Sequence, residues 1–291
     1  MTAQPVLAQP ERRAATLAGV LAGRYVLDGE IGRGGMAIVY LARQLRFGRS
    51  VAIKIPSSMA EEAVEHVRGE IRTMARLDHP HILPLLDADE RRGLPCFVMR
   101  YVRGGSLRAL VTRRGRLPFG EAAALLRGTA AALQYAHDRD ILHCDVKPEN
   151  ILLDEGHPYL ADFGVARPPA SESAVWRRPR LVSGGGTPTY VSPEQAAGDH
   201  LDARSDVYSL ACVAYEMLAG RSPFLGDTAA EIVARRFGPA AVDLGALPRK
   251  VPARVVRVIE RALSVAPEDR PESVTAFTEP FASAKRRWWR R

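Results

Sequence analysis

The sequence predicts an α+β fold in two lobes, and three observations predict it. Strand-like segments crowd the region before Arg103, long helical patterns fill the region after it, and a short hairpin interrupts the helices just past Asn150. A chain of 291 residues with 46% hydrophobic content can fill two cores of ordinary size.

Residues 1–23, rich in Ala, Pro and Gln, read as a flexible leader. Tyr25 to Ile31 and Ala37 to Ala42 read as strands around a glycine-rich turn, and Arg49 to Ile55 as a third. From Glu61 to Leu77 the residues Val64, Val67, Ile71 and Met74 recur at helical spacing and mark an inward face. Glu70 lies on that face, where a carboxylate is costly without a partner, and Lys54 on the neighbouring strand is the natural one. Further on, Phe119 to His137 forms an amphipathic pattern through Leu126, Ala130 and Leu133. Val207 to Leu218 is apolar nearly all round and stops at Gly220, as a buried helix would.

The hairpin carries the chemistry. Ile151 to Leu153 and Pro158 to Ala161 read as short apolar strands joined by the turn-forming run Asp154-Glu155-Gly156-His157. If Leu153 faces Pro158, antiparallel register puts Asn150 opposite Ala161 and Glu149 opposite Asp162. Asn150 and Asp162 can then share one ligand. An amide and a carboxylate are hard oxygen donors, suited to a Mg²⁺ ion that also keeps water and substrate phosphate in its shell. Asp145 and Lys147 enter the same place from the preceding loop.

Bulk properties narrow the function classes. The 41 basic and 33 acidic residues give a net charge of +8, which alone does not indicate a nucleic-acid partner, and none is expected. Lys54, Lys147, Lys250 and Lys285 are the only lysines in an arginine-rich chain. Two of them stand where a compact, rotatable ammonium is wanted. Cys96, Cys144 and Cys212 are odd in number, far apart and without a C-x-x-C, so free thiols in a reducing cytosol are expected. The sequence has neither a signal-peptide pattern nor an apolar run of ~18 residues, so neither export nor membrane spanning is expected.

The run His143-Cys144-Asp145-Val146-Lys147-Pro148-Glu149-Asn150, followed by Asp162-Phe163-Gly164, resembles the catalytic and magnesium loops of the protein kinase family. Ile31-Gly32-Arg33-Gly34-Gly35-Met36-Ala37-Ile38-Val39 is similar to the family's nucleotide loop, and Val51-Ala52-Ile53-Lys54 to its lysine strand. Gly186-Thr187-Pro188-Thr189-Tyr190-Val191-Ser192-Pro193-Glu194 looks like the end of an activation segment, and the arginine of Pro267-Glu268-Asp269-Arg270-Pro271 like the partner of Glu194. The six motifs stand in the family's order from about Arg24 to Ala282. The resemblance implies an antiparallel-sheet N-lobe with one helix over 24–102, a larger mainly helical C-lobe over 103–282, and a basic, aromatic tail over 283–291.

It also implies residue roles. Asp145 would accept the hydroxyl proton, Lys147 would stabilise the γ-phosphoryl, and Asn150 and Asp162 would hold Mg²⁺. Lys54, kept by Glu70, would anchor the nucleotide phosphates under the loop from Ile31 to Ala37. Val39, Ala52, Met99 and Leu152 would line the adenine pocket, with Met99 as its gatekeeper. Cys96 to Gly105 resembles the last N-lobe strand and hinge, where the backbones of Arg100 and Val102 would bond the adenine edge. Asp206 would bond the catalytic-loop backbone, and Thr187 would bridge Asp145 and Lys147. The D-x-K-P-E-N and G-T-x-x-Y-x-x-P-E patterns are the serine/threonine form. ATP, Mg²⁺, protein substrates and autophosphorylation follow, in a bacterial-type enzyme of cytoplasmic or membrane-peripheral location.

Three positions depart from the pattern. Ala37 replaces the third glycine, Arg100 the usual hinge glutamate, and Cys144 the arginine that in most members pairs with a phosphorylated activation-segment residue. The usual phosphorylated position falls near Ser183, so weak dependence on that phosphate is expected. A pseudokinase scaffold and a small-molecule phosphotransferase are the alternatives. The former would have lost Lys54, Asp145 or Asp162, and the latter would lack the activation segment. Lys285 to Arg291 carries two tryptophans among five cations, so it reads either as a solvated tail or as a contact for anionic membrane.

Overall fold

The computed structural model describes residues 21, 23–91, 93–163, 188–237 and 242–282. The leader apart from Leu21 and Gly23, Gly164, the stretch through Ser183 to Thr187, and the tail therefore lie outside the described residues. Two compact units are present. Among the described residues, the first comprises those up to Ala75 together with Pro84–Tyr101, and the second Arg76–Leu83 together with those from Val102 onward.

In the first unit, β1 (Tyr25–Arg33), β2 (Ala37–Gln44), β3 (Arg49–Pro56), β4 (Leu85–Arg91) and β5 (Leu94–Arg100) form one antiparallel sheet in the order β1-β2-β3-β5-β4. Alternation sorts its side chains. Ile38, Tyr40, Ala42, Val51, Ile53, Ile55, Cys96 and Val98 share one face and pack into a core with Tyr25 and Leu94. Leu21 also enters that core at 1% exposure, so the loose leader expected to run through residue 23 is anchored by this leucine. The other face carries Val39, Leu41, Ala52, Lys54, Phe97 and Met99, tied in register as Val39 to Lys54, Lys54 to Phe97 and Ala52 to Met99. Helix α1 (Glu61–Met74) packs against β3 and β5, burying Val64, Val67, Met74 and Glu70.

The second unit is mainly helical: α2 (Leu107–Arg114), α3 (Phe119–His137), α4 (Pro193–Ala197), α5 (Ala203–Ala219), α6 (Ala229–Arg235), α7 (Ala253–Ala262) and α8 (Val274–Ala282). The core is built on α5, buried continuously from Ser205 to Ala219 and packed against α3, α7 and α8. It ends at Gly220, whose φ of +76° makes the left-handed cap that glycine adopts without strain. Helix α5 starts earlier than its apolar pattern, because Asp202 caps it by accepting from the Arg204 N–H at 2.7 Å. Asp206 is thereby released from any capping duty.

The hairpin of β6 (Ile151–Asp154) and β7 (His157–Leu160) has the expected register, with Leu153 opposite Pro158. Its turn is two residues, Glu155 and Gly156, at φ of +51° and +81°, the type I′ signature that matches strand twist. Arg76–Leu83 joins this unit because it pairs with β7: Leu83 donates to the Leu160 carbonyl at 2.9 Å and Leu160 to that of His81 at 2.8 Å. The sequence had placed that segment in the first lobe.

Candidate active site

In the first unit, Lys54 stands on the sheet face opposite the core. Lys54 Nζ lies 2.8 Å from Oε1 and 2.6 Å from Oε2 of Glu70, with both side chains almost fully buried. A buried ammonium needs such a partner, since losing it would leave an uncompensated charge out of water. Gly32 pairs with Val39 and Val39 with Lys54, so the glycine-rich turn, the valine and the lysine line up across three strands. The turn is closed by Gly34 N–H to the Ala37 carbonyl at 2.8 Å and by Ser57 N–H to the Met36 carbonyl at 2.8 Å. Side chains added at Gly34 or Gly35 would meet no tight contact, and neither residue needs a positive φ. Arg33 pairs with Glu30 at the surface, Ile31 is exposed, and Ala52 and Met99 are buried. Arg100 is exposed, with its N–H directed at the Pro84 carbonyl at 3.4 Å.

In the second unit, three predicted residues meet. Asp145 Oδ2 accepts from Lys147 Nζ at 2.7 Å and from Asn150 Nδ2 at 3.0 Å. The same Asn150 amide nitrogen also donates to the Asp145 carbonyl at 2.9 Å. Burial pushes the Asp145 carboxyl above its ordinary range, even though Lys147 pulls the other way. Burial disfavours the Lys147 ammonium in turn, but Asp145 beside it wins and raises its pKa. Asn150 sits in the short 3₁₀ turn Pro148–Asn150 that leads into β6, and its carbonyl accepts from Ala161 N–H at 2.9 Å. That bond realises the predicted register and leaves Asp162 next in line, half-buried at φ +67°. Leu152 is half-buried opposite Tyr159, and Val102 is buried.

The donor set fits a divalent cation. Asn150 uses its nitrogen on Asp145, so its amide oxygen is turned away from that bond, and Asp162 supplies a carboxylate from the adjoining strand end. Hard oxygens of this type match Mg²⁺.

The loop around Asp145 is held by Asp206, as the sequence had led us to expect, and by His143 and Gln195, which it had not singled out. His143 is fully buried: its Nδ1 accepts from Asp145 N–H at 3.2 Å while its Nε2 donates to the Ala161 carbonyl at 3.1 Å. Those two partners place the ring proton on Nε2. Its ring also meets Phe163 edge-on, with centroids 4.7 Å apart. Asp206 accepts from the N–H groups of His143 and Cys144, each at 2.9 Å, and from His137 Nε2 at 2.7 Å. Full burial works against its charge, yet these donors win and hold its carboxyl below the usual range. Gln195 Nε2 donates to the Cys144 carbonyl at 2.8 Å. Glu194 takes a two-pronged bond from Arg270, 2.8 Å on each side.

A fourth cluster involves Arg108 on α2. It donates from Nε to Glu149 at 2.8 Å and from Nη1 to Glu216 at 2.5 Å, while Nη2 reaches the Tyr190 hydroxyl. The Tyr190 hydroxyl donates to Glu216 in turn. Nothing in the sequence flags this cluster, because its members are 41 to 108 residues from Arg108. Thr187 and Gly164 lie outside the described residues.

A family model described as "Protein kinase domain" matches residues 25–282. Among curated proteins, the chain is 36% identical over 258 residues to "Serine/threonine-protein kinase PknB" of Mycobacterium leprae, covering 86% of this chain and 41% of that protein. It is 35% identical to "Probable serine/threonine-protein kinase PknB" of Bifidobacterium longum, covering 88% and 39%. To "Serine/threonine-protein kinase PknL" of Mycobacterium tuberculosis it is 36% identical, covering 86% and 63%. The chain thus spans about two fifths of the length of the first two of these relatives.

Proposed function

The chain belongs to the protein kinase family, and from that premise we propose that it transfers the γ-phosphoryl group of ATP to serine and threonine hydroxyls of proteins, itself included. The observation that carries this reading is the clamp on Asp145. One carboxylate oxygen, Oδ2, is held by Lys147 and Asn150, while Oδ1 accepts no hydrogen bond among the described residues. A base needs that combination of fixed direction and a spare lone pair. Asp145 takes the proton of the acceptor hydroxyl. Lys147, adjacent to it, stabilises the transferred group. Lys54, fixed by Glu70, binds nucleotide phosphate, and Gly32, Gly34 and Gly35 keep their turn bare of side chains so that phosphate can approach the backbone. Asn150 and Asp162 would hold Mg²⁺, which would neutralise charge on the phosphates. Val39, Ala52 and Met99 contact adenine, and Thr187 bridges Asp145 and Lys147.

The setting belongs to the same proposal: a bacterial signalling enzyme working in reducing cytoplasm, in keeping with three buried cysteines outside any disulfide. No helix among the described residues is long and apolar enough to cross a membrane. The basic tail from Lys285 adds contact with anionic lipid, which co-sedimentation with phosphatidylserine vesicles would test against a chain cut after Ala284.

The direct test is incubation with labelled ATP, Mg²⁺ and a general acceptor protein. Wild type should label both itself and the acceptor on serine or threonine, and Asp145→Asn should label neither. Wild type that binds ATP yet transfers nothing with Mg²⁺ or Mn²⁺ would leave the scaffold reading in its place.

A further inference from the structure

Arg108 has more polar partners from distant elements than a surface arginine needs. Its guanidinium faces Glu149 from the turn that carries Asn150, Glu216 from α5, and Tyr190 from the 3₁₀ turn Pro188–Tyr190. The arms differ in strength. Glu149 is 46% exposed, so its ion pair with Arg108 is screened and weak alone, whereas the Glu216 side chain is only 8% exposed and acts as the anchor. The planar fork suits this task, because Nε, Nη1 and Nη2 each reach a different partner, a spread that a single ammonium nitrogen does not have.

Both outer arms lead back to Asp145. Glu149 immediately precedes Asn150, whose amide clamps the Asp145 carboxylate. Tyr190 lies just before Ser192, which with Gln195 forms a reciprocal capping box at α4, and Gln195 in turn bonds the carbonyl of Cys144. Ser209 adds a bond to the Tyr190 carbonyl at 2.7 Å. Cys144 has no guanidinium to join the loop to the downstream segment.

We propose that Arg108 is a positioning residue that braces the Tyr190 turn and the Asn150 turn against each other, setting the geometry around Asp145 from outside the catalytic loop. This rests on the kinase reading above, but its structural half does not need catalysis to be measured.

The experiment combines amide hydrogen exchange with steady-state kinetics on Arg108→Gln, Arg108→Lys and Tyr190→Phe. In Arg108→Gln, exchange should accelerate in both 148–151 and 188–197. The kcat should fall roughly ten- to hundred-fold, as expected for slight misplacement, while the KM for ATP stays within about two-fold. Arg108→Lys should recover little, since it keeps the charge and loses the fork. Faster exchange confined to α2, or full recovery by lysine, overturns the proposal. Should Arg108→Gln not fold, Tyr190→Phe carries the test: exchange in 188–197 must rise and kcat must drop, and no change in either overturns it. A wild type without transfer would defeat the kinase reading, yet the exchange result would still stand or fall independently.

Discussion

Asp206 holds the backbone N–H of Cys144 at 2.9 Å while Cys144 stands at φ +61°, a left-handed conformation that a non-glycine residue adopts at a cost of about 1–3 kcal/mol. The carboxylate sets the direction of the residue just before Asp145. Two further donors, His143 N–H and His137 Nε2, converge on it.

Replacing Asp206 by Asn keeps the shape but loses the charge and part of the acceptor capacity. A buried bond to a charged group is worth about 1.5–3 kcal/mol, so thermal or urea unfolding should show a loss of that order. Because the folded-state carboxyl is held below its ordinary pKa, its stabilisation is present above the unfolded value near 4 and disappears as pH falls through the lower folded one. Wild-type stability should therefore decline in that acid window, and the decline should be shallower in Asp206→Asn. Equal slopes in the two proteins would contradict this.

Gly104 lies against the hairpin. A side-chain carbon there would stand 2.1 Å from the Leu153 carbonyl oxygen, and that oxygen belongs to backbone that cannot rotate away. Gly104→Ala should destabilise by about 1–3 kcal/mol or more, and should reduce Mg²⁺-dependent transfer more than nucleotide affinity, because the hairpin bears Asn150 and Asp162 at its ends. Unchanged melting temperature and activity would show that the loop yields freely.

Glu194 and Arg270 form a fully buried two-pronged pair. Arg270→Met alone strands the carboxylate and should cost about 3–5 kcal/mol, with Glu194→Gln added to it recovering a measurable part. Simple additivity of the two losses, measured by denaturant unfolding, would refute the pairing energy.

Ser183 lies outside the described residues, but its expected contribution follows from position 144. With cysteine there, Ser183→Ala should keep transfer within a few-fold of wild type, and Cys144→Arg should gain a dependence on phosphorylation. A large loss in the first together with no gain in the second would reject the idea.

Legibility followed the range of the interactions. Helix α3 was readable to its ends, Phe119 and His137, because its signal is local periodicity. The Asn150 to Ala161 register was readable because the tight turn leaves it little choice. The Lys54 to Glu70 pair was readable from the cost of an unpaired inward carboxylate. Placing Arg76–Leu83 with the helical unit was not, since its partner Leu160 comes from a strand that the local pattern does not point to. Nor were Arg108, Gln195 and His143, polar residues whose value depends on what the fold carries to them.

The alternation in β3 has a consequence for how this chain can vary in length. Ile53 faces the sealed core and Lys54 the opposite side, so one residue inserted between Ala52 and Ile53 would send the ammonium into hydrocarbon and an isoleucine to Glu70. The same insertion in the loop between Gln44 and Arg49, where Leu45 and Phe47 are already exposed, shifts no strand past its neighbour. Evolutionary gaps and engineered tags are thus admissible at that tip, whereas a single codon gained a few residues later would be expected to abolish the protein.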